Sequence, residues 1–462
     1  MQVTVADMMA AREARAQMQR TLLERYQGAV LVCLTMNIAG PVKTDARIER
    51  AFSWGLSAIE AVLAPQKRLF AAQIHEATGP EAVFAVEGDA CEIKRRLCAL
   101  EDGCALGRLL DIDVLFGQGD KVSRADVDQS PRRCLICGEP AAACARSRTH
   151  TAQALFERAQ AIIRTHFEDE FARFAAQQAE RALLTEAALA PKPGLVDRMN
   201  PGAHRDMDLF TFLDSACALR TYFEVCVRQG LAFRGQDEAA CFAALRTPGL
   251  LAEAGMRRAT GGVNTHKGAI FSVGILCAAL GMGYDGERSD PLAALVRCGR
   301  MTSACMAQEL EQASRGAGHS CGEQLFRAHG IGGVRAEAAG GFASVREIAL
   351  PRLRACLQAG MALQDAALCA LVALMAHVED TNAIRRGGQA GALAMRARAA
   401  QEDEALCARL AQPGFDARQE SIGLRQRLAA WDAELSALGI SPGGCADLLA
   451  LTLLAHFAAE GV

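Results

Sequence analysis

The chain has 462 residues, 51% of them hydrophobic, and a formal net charge of -3 at pH 7. This length is expected to form two domains, each with enough apolar side chains for its own core. The weakly negative charge offers no general attraction to nucleic acid or to an anionic membrane surface, so we expect neither as a partner.

The N-terminal residues and the cysteines predict a cytoplasmic protein. Asp7 and Glu13 lie among the basic residues near the N-terminus, which argues against a signal peptide. The longest apolar run, 269–280, is too short to span a bilayer. The 18 cysteines are scattered, mostly in apolar surroundings, as small buried residues in a reducing compartment would be.

Residues before about 150 mix the patterns of strands and helices. The apolar runs 28–36, 82–86 and 109–116 predict buried strands, whereas 47–64 and 92–100 have the spacing of helices. We therefore predict an α+β domain built on a small mixed sheet.

The strand predicted at 109–116 carries two aspartates, Asp111 and Asp113. Residues i and i+2 of a strand share a face, and adjacent carboxylates repel each other unless a cation lies between them. Two Mg²⁺ ions held in this way can stabilise both the attacking and the leaving oxygen of a phosphoryl displacement. The alternative is a solvent-facing pair, but the apolar neighbours favour a buried strand, where unpaired carboxylates are costly. Asp126 is the candidate for a third ligand.

A cysteine-rich segment follows this strand. Cys134-x-x-Cys137, then Cys144 and His150, has the ligand types of a zinc site. The spacing from Cys144 to His150 is unusual, however, so we favour free thiols over bound zinc. The cations of this domain would bind phosphate groups or an acidic partner, unless they are simply solvated. They are Lys43, Arg124, Arg132, Arg133, Arg146 and Arg148.

After about residue 151 the pattern is almost entirely helical. Alanine and leucine dominate, with arginine and glutamate spaced around apolar faces. Residues 151–189 read as one helix, and we place the domain boundary inside it. The predicted domains are residues 1–170 and an all-α domain over residues 171–462.

Three polar loops that contain glycine interrupt these helices, at 190–208, 261–268 and 377–388. The second loop opens onto the apolar run 269–280, and backbone N–H groups at such a helix start can hold an anion. Any one of these loops could be a plain solvated turn. Because apolar helices separate the three, one shared site explains them better.

The three loops resemble those of triphosphoribosyl-dephospho-CoA synthase. The matching stretches are Pro-Lys-Pro-Gly-Leu-Val-Asp at 191–197, the segment of His204 and Asp206, Asn-Thr-His-Lys-Gly at 264–268 and Glu-Asp-Thr-Asn at 379–382. The resemblance covers about the last three fifths of the chain. It implies a reaction in which ATP loses adenine and its triphosphoribosyl group joins the 2′-hydroxyl of dephospho-CoA. The product is the precursor of the citrate lyase prosthetic group.

The N-terminal motifs resemble citrate lyase holo-acyl-carrier-protein synthase, the phosphoribosyl-dephospho-CoA transferase. They lie at 37–43, 110–114, 122–126, 133–137 and 144–150. The resemblance implies a nucleotidyltransferase-like fold. It also implies that a serine of the citrate lyase acyl carrier protein (the gamma subunit) attacks and that pyrophosphate leaves. The chain is thus similar to a fusion of two consecutive enzymes.

The resemblance also implies roles for charged residues of the helical half, where we expect Mg²⁺ with the triphosphate. Candidates for metal binding or acid–base catalysis are Asp206, Asp208, Glu379 and Asp380. Candidates for binding substrate and phosphate are Lys192, Arg198, His204, Asn264, His266, Lys267, Glu337, Asn382 and Arg386. Each could instead be a helix cap or a loop ion pair. His319, His329 and His456 are interpreted as ordinary histidines.

Some positions depart from the family patterns. Alanine stands at 39 where the first family usually has proline, and at 336 and 343 where the second usually has glycine and proline. Since alanine resists positive φ, the loop at Ala336 is expected to differ in shape.

Two alternative functions are open on the sequence. One is the equivalent enzyme pair serving malonate decarboxylase, which carries the same prosthetic group. The other is a non-catalytic carrier-protein adaptor with a zinc module in its N-terminal half.

Overall fold

The computed structural model describes residues 2–314 and 332–460, and for residues 306–314 it describes the backbone only. Two compact units, Met1–Glu168 and Asp169–Val462, divide the chain. His319 and His329 lie outside the described residues.

The N-terminal unit contains helices and strands in alternation. Its elements are α1 (Val5–Arg25), β1 (Val30–Met36), α2 (Ala46–Leu63), β2 (Arg68–Glu76), β3 (Gly79–Val86), α3 (Ala90–Gly103), β4 (Leu110–Phe116), β5 (Asp120–Lys121) and α4 (Ala141–Ser147). The next helix, α5 (Ala152–Ala188), contains the division between the units. The predicted strands and helices of this region are all present.

The sheet has the strand order β2-β3-β1-β4-β5, and every neighbouring pair is antiparallel. The prediction of a mixed sheet is therefore wrong. The reason is β2, a strand in which no residue is fully buried and which therefore has no apolar run to reveal it. Only two residues separate β2 from β3, so the two strands form a hairpin, which is antiparallel by geometry.

The two faces of the sheet pack against different helices. Val32 of β1 and Ile112 of β4 point to the face covered by α2 and α3, where Phe52 is fully buried. Leu31 and Cys33 point to the other face and pack against α1. This alternation places neighbouring β4 residues on opposite sides of the sheet.

All regular secondary structure of the C-terminal unit within residues 169–314 and 332–460 is helical. After α5 come α6 (Leu209–Ala232), α7 (Glu238–Ala244), α8 (Arg246–Ala259), α9 (Lys267–Gly283), α10 (Pro291–Ser314), α11 (Gly333–Ala339), α12 (Leu350–Gln358), α13 (Leu363–His377), α14 (Thr381–Leu410), α15 (Ala417–Leu438) and α16 (Gly443–Ala458). The apolar helices α9, α13 and α16 are buried almost end to end and form the centre of the unit. The prediction of an all-α C-terminal half is confirmed.

Helices α6 and α9 approach each other through two glycines. A Cβ on Gly230 would lie 1.9 Å from the Ala278 carbonyl oxygen, and one on Gly281 would lie 2.2 Å from the Val227 carbonyl oxygen. Only glycine permits this backbone contact. The contact fixes α9 against α6, and the two helices begin at the polar loops of the unit.

The described helices include apolar ones that are short for a bilayer span. None of them alone combines the necessary length and apolarity. Helices α13 and α14 reach both only as a pair, and the chain bends by 58° between them.

We expect Gly281→Ala to lower the free energy of unfolding by about 1–3 kcal/mol, the usual cost of overpacking. The added methyl group would collide with a backbone carbonyl that cannot move away. The matched control is Gly255→Ala in α8, where the nearest atom to a new Cβ is Arg258 Nη2 at 3.8 Å. This control should gain about 0.5–1 kcal/mol from helix propensity. Urea unfolding followed by circular dichroism measures both, and equal effects would contradict the close-contact account.

Candidate active sites of the two units

The three polar loops of the C-terminal unit meet at one cavity of about 770 Å³, called here the helical cavity. The ends of α5, α11 and α16 complete its walls. Among the residues singled out from the sequence, its lining includes Lys192, His204, Asp206, Asn264, His266, Lys267, Glu337, Glu379, Asp380, Asn382 and Arg386.

Three helices begin at the wall of the helical cavity. Gly268 lies in the first turn of α9, Asn382 in the first turn of α14, and Gly443 and Gly444 in the first turn of α16. The first N–H groups of a helix have no partner within it, and the helix dipole makes this end positive. Three such ends give this part of the cavity wall a positive character that suits an anionic group, and carboxylates of the chain already bond some of the N–H groups.

Asp380 ties two of these helix starts together. Its carboxylate accepts hydrogen bonds from the backbone N–H groups of Asn382 (2.8 Å), Ala383 (2.9 Å) and Cys445 (2.8 Å). It is therefore the N-cap of α14 and also holds the first turn of α16. Burial raises the pKa of this carboxyl above its usual value, although the three N–H groups oppose the shift. With three donors already bound, Asp380 positions the walls of the cavity.

Asp447 is a carboxylate that the sequence analysis missed. It projects from α16 into the cavity and accepts a hydrogen bond from the backbone of Ala269, in the first turn of α9. Its Oδ2 would lie only 1.9 Å from a Cβ on Gly268, so the α9 backbone needs glycine here. Burial raises the pKa of Asp447 well above normal, and the nearby charges of Glu186 and Asp380 raise it further. A lone aspartate in an apolar helical run was the available signal.

Lys192 and Glu186 form a buried ion pair at the cavity wall. Lys192 Nζ lies 2.6 Å from Glu186 Oε1 and 2.8 Å from the Glu186 carbonyl oxygen. The lysine is only 1% exposed. Its backbone N–H donates to Asp197 Oδ2 at 3.0 Å. The ammonium predicted to bind phosphate thus already has a carboxylate partner, and Glu186 was not foreseen from the sequence.

His266 lines the cavity and has one ring nitrogen without a hydrogen-bond partner. Thr265 donates its hydroxyl hydrogen to Ser215 Oγ at 2.7 Å, and Ser215 Oγ lies 2.7 Å from His266 Nδ1. Ser215 therefore engages Nδ1, which leaves Nε2 as the other ring nitrogen. That buried Nε2 has no hydrogen-bond partner. Burial, helped by the charge of Lys192, lowers the pKa of His266 to about 3, so the ring is neutral.

His204 is held in one orientation from both sides. Arg386 donates to His204 Nδ1 at 3.0 Å, so the ring hydrogen lies on Nε2 and is donated to Ser441 Oγ at 2.9 Å. Arg386 also donates to the Ala203 carbonyl at 3.0 Å. Burial and the charge of Arg386 lower the pKa of His204 to about 4. Asp206 Oδ1 lies 3.9 Å from His204 Nδ1, and its side chain is 64% exposed.

The other lining residues are more exposed. Lys267 Nζ lies 3.3 Å from Glu253, and Glu379 lies 3.4 Å from Arg396 Nη1. Asn264 is exposed. Glu337 accepts a hydrogen bond from Ser344 Oγ at 2.8 Å.

Ala336 is helical and lies within α11. The positive φ angles on either side fall on Gly333, Gly341 and Phe342. The alanine therefore needs no left-handed backbone.

Two predicted residues lie outside the lining of the helical cavity. Asp208 is the N-cap of α6 and accepts hydrogen bonds from the Thr211 N–H at 2.9 Å and hydroxyl at 2.7 Å, which lower its pKa. Arg198 lies in a shallow surface pocket beside Arg181 and Arg220. Arg198 lies at a bend within the loop at 190–208, and Asp208 lies at its end, where it caps α6.

The N-terminal unit contains a second cavity, of about 890 Å³, called here the arginine cavity. Its lining includes Arg108, Arg124, Arg132, Arg133 and Arg148. So many cations around one space suit a polyphosphate.

Glu101 is the buried centre of the arginine cavity and was not foreseen from the sequence. It is 1% exposed. It pairs with Arg124 at 2.7 Å and with Arg132, and it accepts the Ile112 N–H of β4 at 3.2 Å. Because Glu101 lies in an amphipathic helix, α3, it reads in the sequence as a surface residue.

Asp111 and Asp113 share one face of β4, with Leu110, Ile112 and Val114 on the other. Only the apolar face is buried, so the expectation of a buried strand holds for one side alone. The Asp111 side chain is 52% exposed and lies 3.5 Å from Arg132; that of Asp113 is 35% exposed and lies 2.5 Å from Lys121. Each carboxylate therefore has its own cation.

Asp111 and Asp113 lie outside the lining of the arginine cavity, and so do Cys137 and the three predicted residues described next. Asp126 caps a turn by accepting hydrogen bonds from the Ser123 N–H and hydroxyl, both at 2.7 Å. Lys43 donates to the Ile38 carbonyl, and burial lowers its pKa. Arg146 lies on α4, and of the two predicted arginines of that region only Arg148 reaches the cavity.

Cys134, Cys137, Cys144 and His150 form a cluster. One ligand atom from each lies within 4.8 Å of all the others. Unlike their spacing in the sequence, which favoured free thiols, this arrangement fits a single metal ion.

Two family models match the chain. The model of ATP:dephospho-CoA triphosphoribosyl transferase (CitG) matches residues 172–461, and that of apo-citrate lyase phosphoribosyl-dephospho-CoA transferase (CitX) matches residues 3–166. The chain is 35% identical to Protein CitXG of Haemophilus influenzae, over 98% of this chain and 95% of that protein. It is 34% identical to Protein CitXG of Leuconostoc mesenteroides subsp. cremoris, over 82% and 83% of the two chains.

A third relative matches a smaller part of the chain. It is a probable 2-(5''-triphosphoribosyl)-3'-dephosphocoenzyme-A synthase of Pectobacterium carotovorum, 40% identical over 62% of this chain and 89% of that protein.

These matches and the two cavities define a bifunctional transferase, and the predicted fusion is confirmed. The chain belongs to the CitXG family, in which a CitX region and a CitG region form one polypeptide. The alternative of a non-catalytic adaptor has no support, because both regions match transferases.

We expect His266 and His204 to remain neutral at pH 5, because their folded-state pKa values are about 3 and about 4. In the unfolded chain both pKa values are about 6.5, so the unfolded state binds more protons below that pH. The free energy of unfolding should therefore fall by about 1.4 kcal/mol per pH unit and histidine as the pH drops below 6.5. NMR of ¹⁵N-labelled histidine, assigned with His266→Gln and His204→Gln, measures the protonation directly. Titration of either ring near pH 6.5 would contradict the burial described.

Proposed function

We propose that the protein makes and attaches the citrate lyase prosthetic group. The helical unit would convert ATP and 3'-dephospho-CoA into 2'-(5''-triphosphoribosyl)-3'-dephospho-CoA and adenine. The N-terminal unit would then transfer phosphoribosyl-dephospho-CoA to a serine of the citrate lyase acyl carrier protein and release pyrophosphate. The observation that carries the first step is one cavity where three helix N-termini meet His266, whose Nε2 has no partner.

The triphosphate of ATP is assigned to the helix starts of the helical cavity. The N–H groups at the beginnings of α9, α14 and α16 that Asp380 and Asp447 leave unbonded suit its oxygens, and a neutral His266 with its hydrogen on Nε2 would supply a further donor. Lys267 and Arg385 add positive charge at the rim. Asn264 and Asn382 would orient the substrate.

Proton transfer in the helical cavity is assigned to Asp447. Loss of adenine from ribose resembles glycoside cleavage, with an oxocarbenium-like transition state and a carboxyl group that moves a proton. Asp447 has the strongly raised pKa that such a group needs near neutral pH. Asp380 and Asp208, which cap helices, then act by positioning.

Mg²⁺ suits the carboxylates of both units. In the helical cavity Asp206 and Glu379 are exposed enough to contact a cation that arrives with the triphosphate. In the N-terminal unit Asp111 and Asp113 share a face, and Mg²⁺ would replace Arg132 and Lys121 there. When bound, the ion would neutralise phosphate charge.

The second step is assigned to the arginine cavity. Arg124, Arg132 and Arg148 would bind the triphosphate chain of the intermediate, with Glu101 holding the first two in place. We propose a nucleotidyltransferase-like arrangement in which Asp111 and Asp113 lie beside the reacting phosphate. The functional boundary is placed near residue 170, between the two family matches.

We expect Asp447→Asn to reduce adenine release by about 10²–10⁴-fold, the usual effect of removing a group that transfers a proton. Adenine formed from ATP and 3'-dephospho-CoA is measured by chromatography. Asp416→Asn is the matched control, since Asp416 is an exposed N-cap of α15. Wild-type adenine release by Asp447→Asn would contradict this role. Failure of the wild type to form adenine would contradict the proposed function itself.

We expect Asp111→Asn to reduce pyrophosphate release by about 10²-fold or more, through lost stabilisation of the transition state. Adenine release should be unchanged, because that reaction belongs to the other unit. The measurement supplies the isolated intermediate with the apo carrier protein. The control is Asp89→Asn, an exposed N-cap of α3. Loss of both activities in a folded Asp111→Asn protein would contradict separate sites.

The carrier protein that receives the group is assigned between those of citrate lyase and malonate decarboxylase. The match to an apo-citrate lyase transferase favours the citrate lyase protein. Labelling of the apo malonate decarboxylase carrier in preference to it would reverse this assignment.

A further inference from the structure

Residues 131–150 form a segment with little hydrophobic packing of its own. Its one helix, α4, has no buried residue, and Ile136 is 42% exposed. Cys134, at 6% exposed, is the exception. A segment of this size without a core is normally held by a disulfide or a metal ion.

The four clustered side chains meet inside this segment. Cys137 Sγ lies 3.4 Å from Cys144 Sγ and 3.3 Å from His150 Nε2. With Cys134 Sγ included, all four ligand atoms lie within 4.8 Å of one another. A tetrahedral zinc ion with bonds of about 2.3 Å to sulfur and about 2.0 Å to nitrogen requires ligand separations of about 3.5–3.8 Å. Small side-chain movements reach that geometry.

The backbone around Cys134 is shaped as a turn that supports a ligand. The Ile136 N–H points at Cys134 Sγ at 3.5 Å, and the Gly138 N–H donates to the Cys134 carbonyl at 3.3 Å. Gly138 has φ +77°, which only glycine adopts without strain. The turn brings Cys137 back beside Cys134, while α4 carries Cys144 to the same point.

The cluster adjoins the arginine cavity. Cys134, Cys144 and His150 belong to its lining, and so do Arg133 and Arg148, which neighbour these ligands along the chain. Whatever fixes the cluster therefore also fixes two of the cations of the cavity.

We propose that Cys134, Cys137, Cys144 and His150 bind one structural Zn²⁺ ion, which holds the segment 131–150 against the arginine cavity. Four protein ligands close the coordination sphere, so the ion stabilises the segment and leaves the chemistry to other residues. The thiols bind as thiolates and release their protons on binding. The effect on transfer rests on the proposed function, whereas zinc binding does not.

The rival to zinc is a disulfide between Cys137 and Cys144, whose sulfur atoms are close enough to bond after a small movement. Such a bond would need an external two-electron oxidant and would leave Cys134 and His150 without a shared role. Zinc uses all four side chains.

Metal analysis of the purified full-length chain from zinc-supplemented medium tests the site. We expect one zinc per chain in the wild type and almost none in Cys137→Ser and His150→Ala. Cys91→Ser is the matched control, because Cys91 is an exposed thiol outside the cluster, and it should keep its zinc. A wild type without zinc, or variants that retain it, would overturn the proposal.

A second measurement covers variants that fail to fold. Wild-type protein in which Co²⁺ replaces the metal should show the visible absorption bands of a tetrahedral thiolate site. Trypsin should cut the zinc-free variants after Arg146 and Arg148 faster than the wild type. These variants should release less pyrophosphate and normal amounts of adenine. An octahedral cobalt spectrum, or a Cys137–Cys144 disulfide in the isolated wild type, would count against zinc.

Discussion

The three carboxylate–N–H hydrogen bonds of Asp380 are the interaction on which the helical unit depends. They join the starts of α14 and α16, and Asp447 joins α16 to the start of α9 in the same way. Two carboxylates thus bring three positive helix ends to one place. Asp380 is buried and Asp447 is partly buried, so neither carboxylate could stay charged at low cost without these donors. The positive N-termini of these helices stabilise the two carboxylates, and the same positive ends would attract an anionic substrate.

In the N-terminal unit a buried carboxylate positions cationic side chains instead of helix ends. Glu101 is buried between Arg124 and Arg132, so the cations that line the arginine cavity are fixed before any ligand arrives. Preorganised guanidinium groups bind phosphate better than mobile ones, because less side-chain entropy is lost. In both units, therefore, a buried carboxylate positions the groups that would contact phosphate.

The sequence predicted those parts of the structure that depend on local composition. The apolar runs that became α9 and β4 were visible, and so were the charged loops around His204, His266 and Asp380. We predicted that these loops converge, because separate polar loops in an apolar helical domain are expected to share a site.

Residues whose role depends on distant contacts were missed or misread. Asp447 and Glu186 lie inside helices, where one carboxylate looks like any other until the fold places it beside a cavity. Lys192 was predicted to bind phosphate, because its buried partner Glu186 lies before the loop and was not foreseen. Strand β2 was not predicted, because its residues are only partly buried. The spacing of Cys144 and His150 did not indicate a cluster, because the cluster forms only through the fold of α4.

The most direct test of the central claim is a crystal structure of the protein with ATP bound. The account predicts the triphosphate at the N-termini of α9, α14 and α16, with an oxygen within hydrogen-bonding distance of His266 Nε2. A triphosphate bound outside the helical cavity, with His266 still unpartnered, would contradict it.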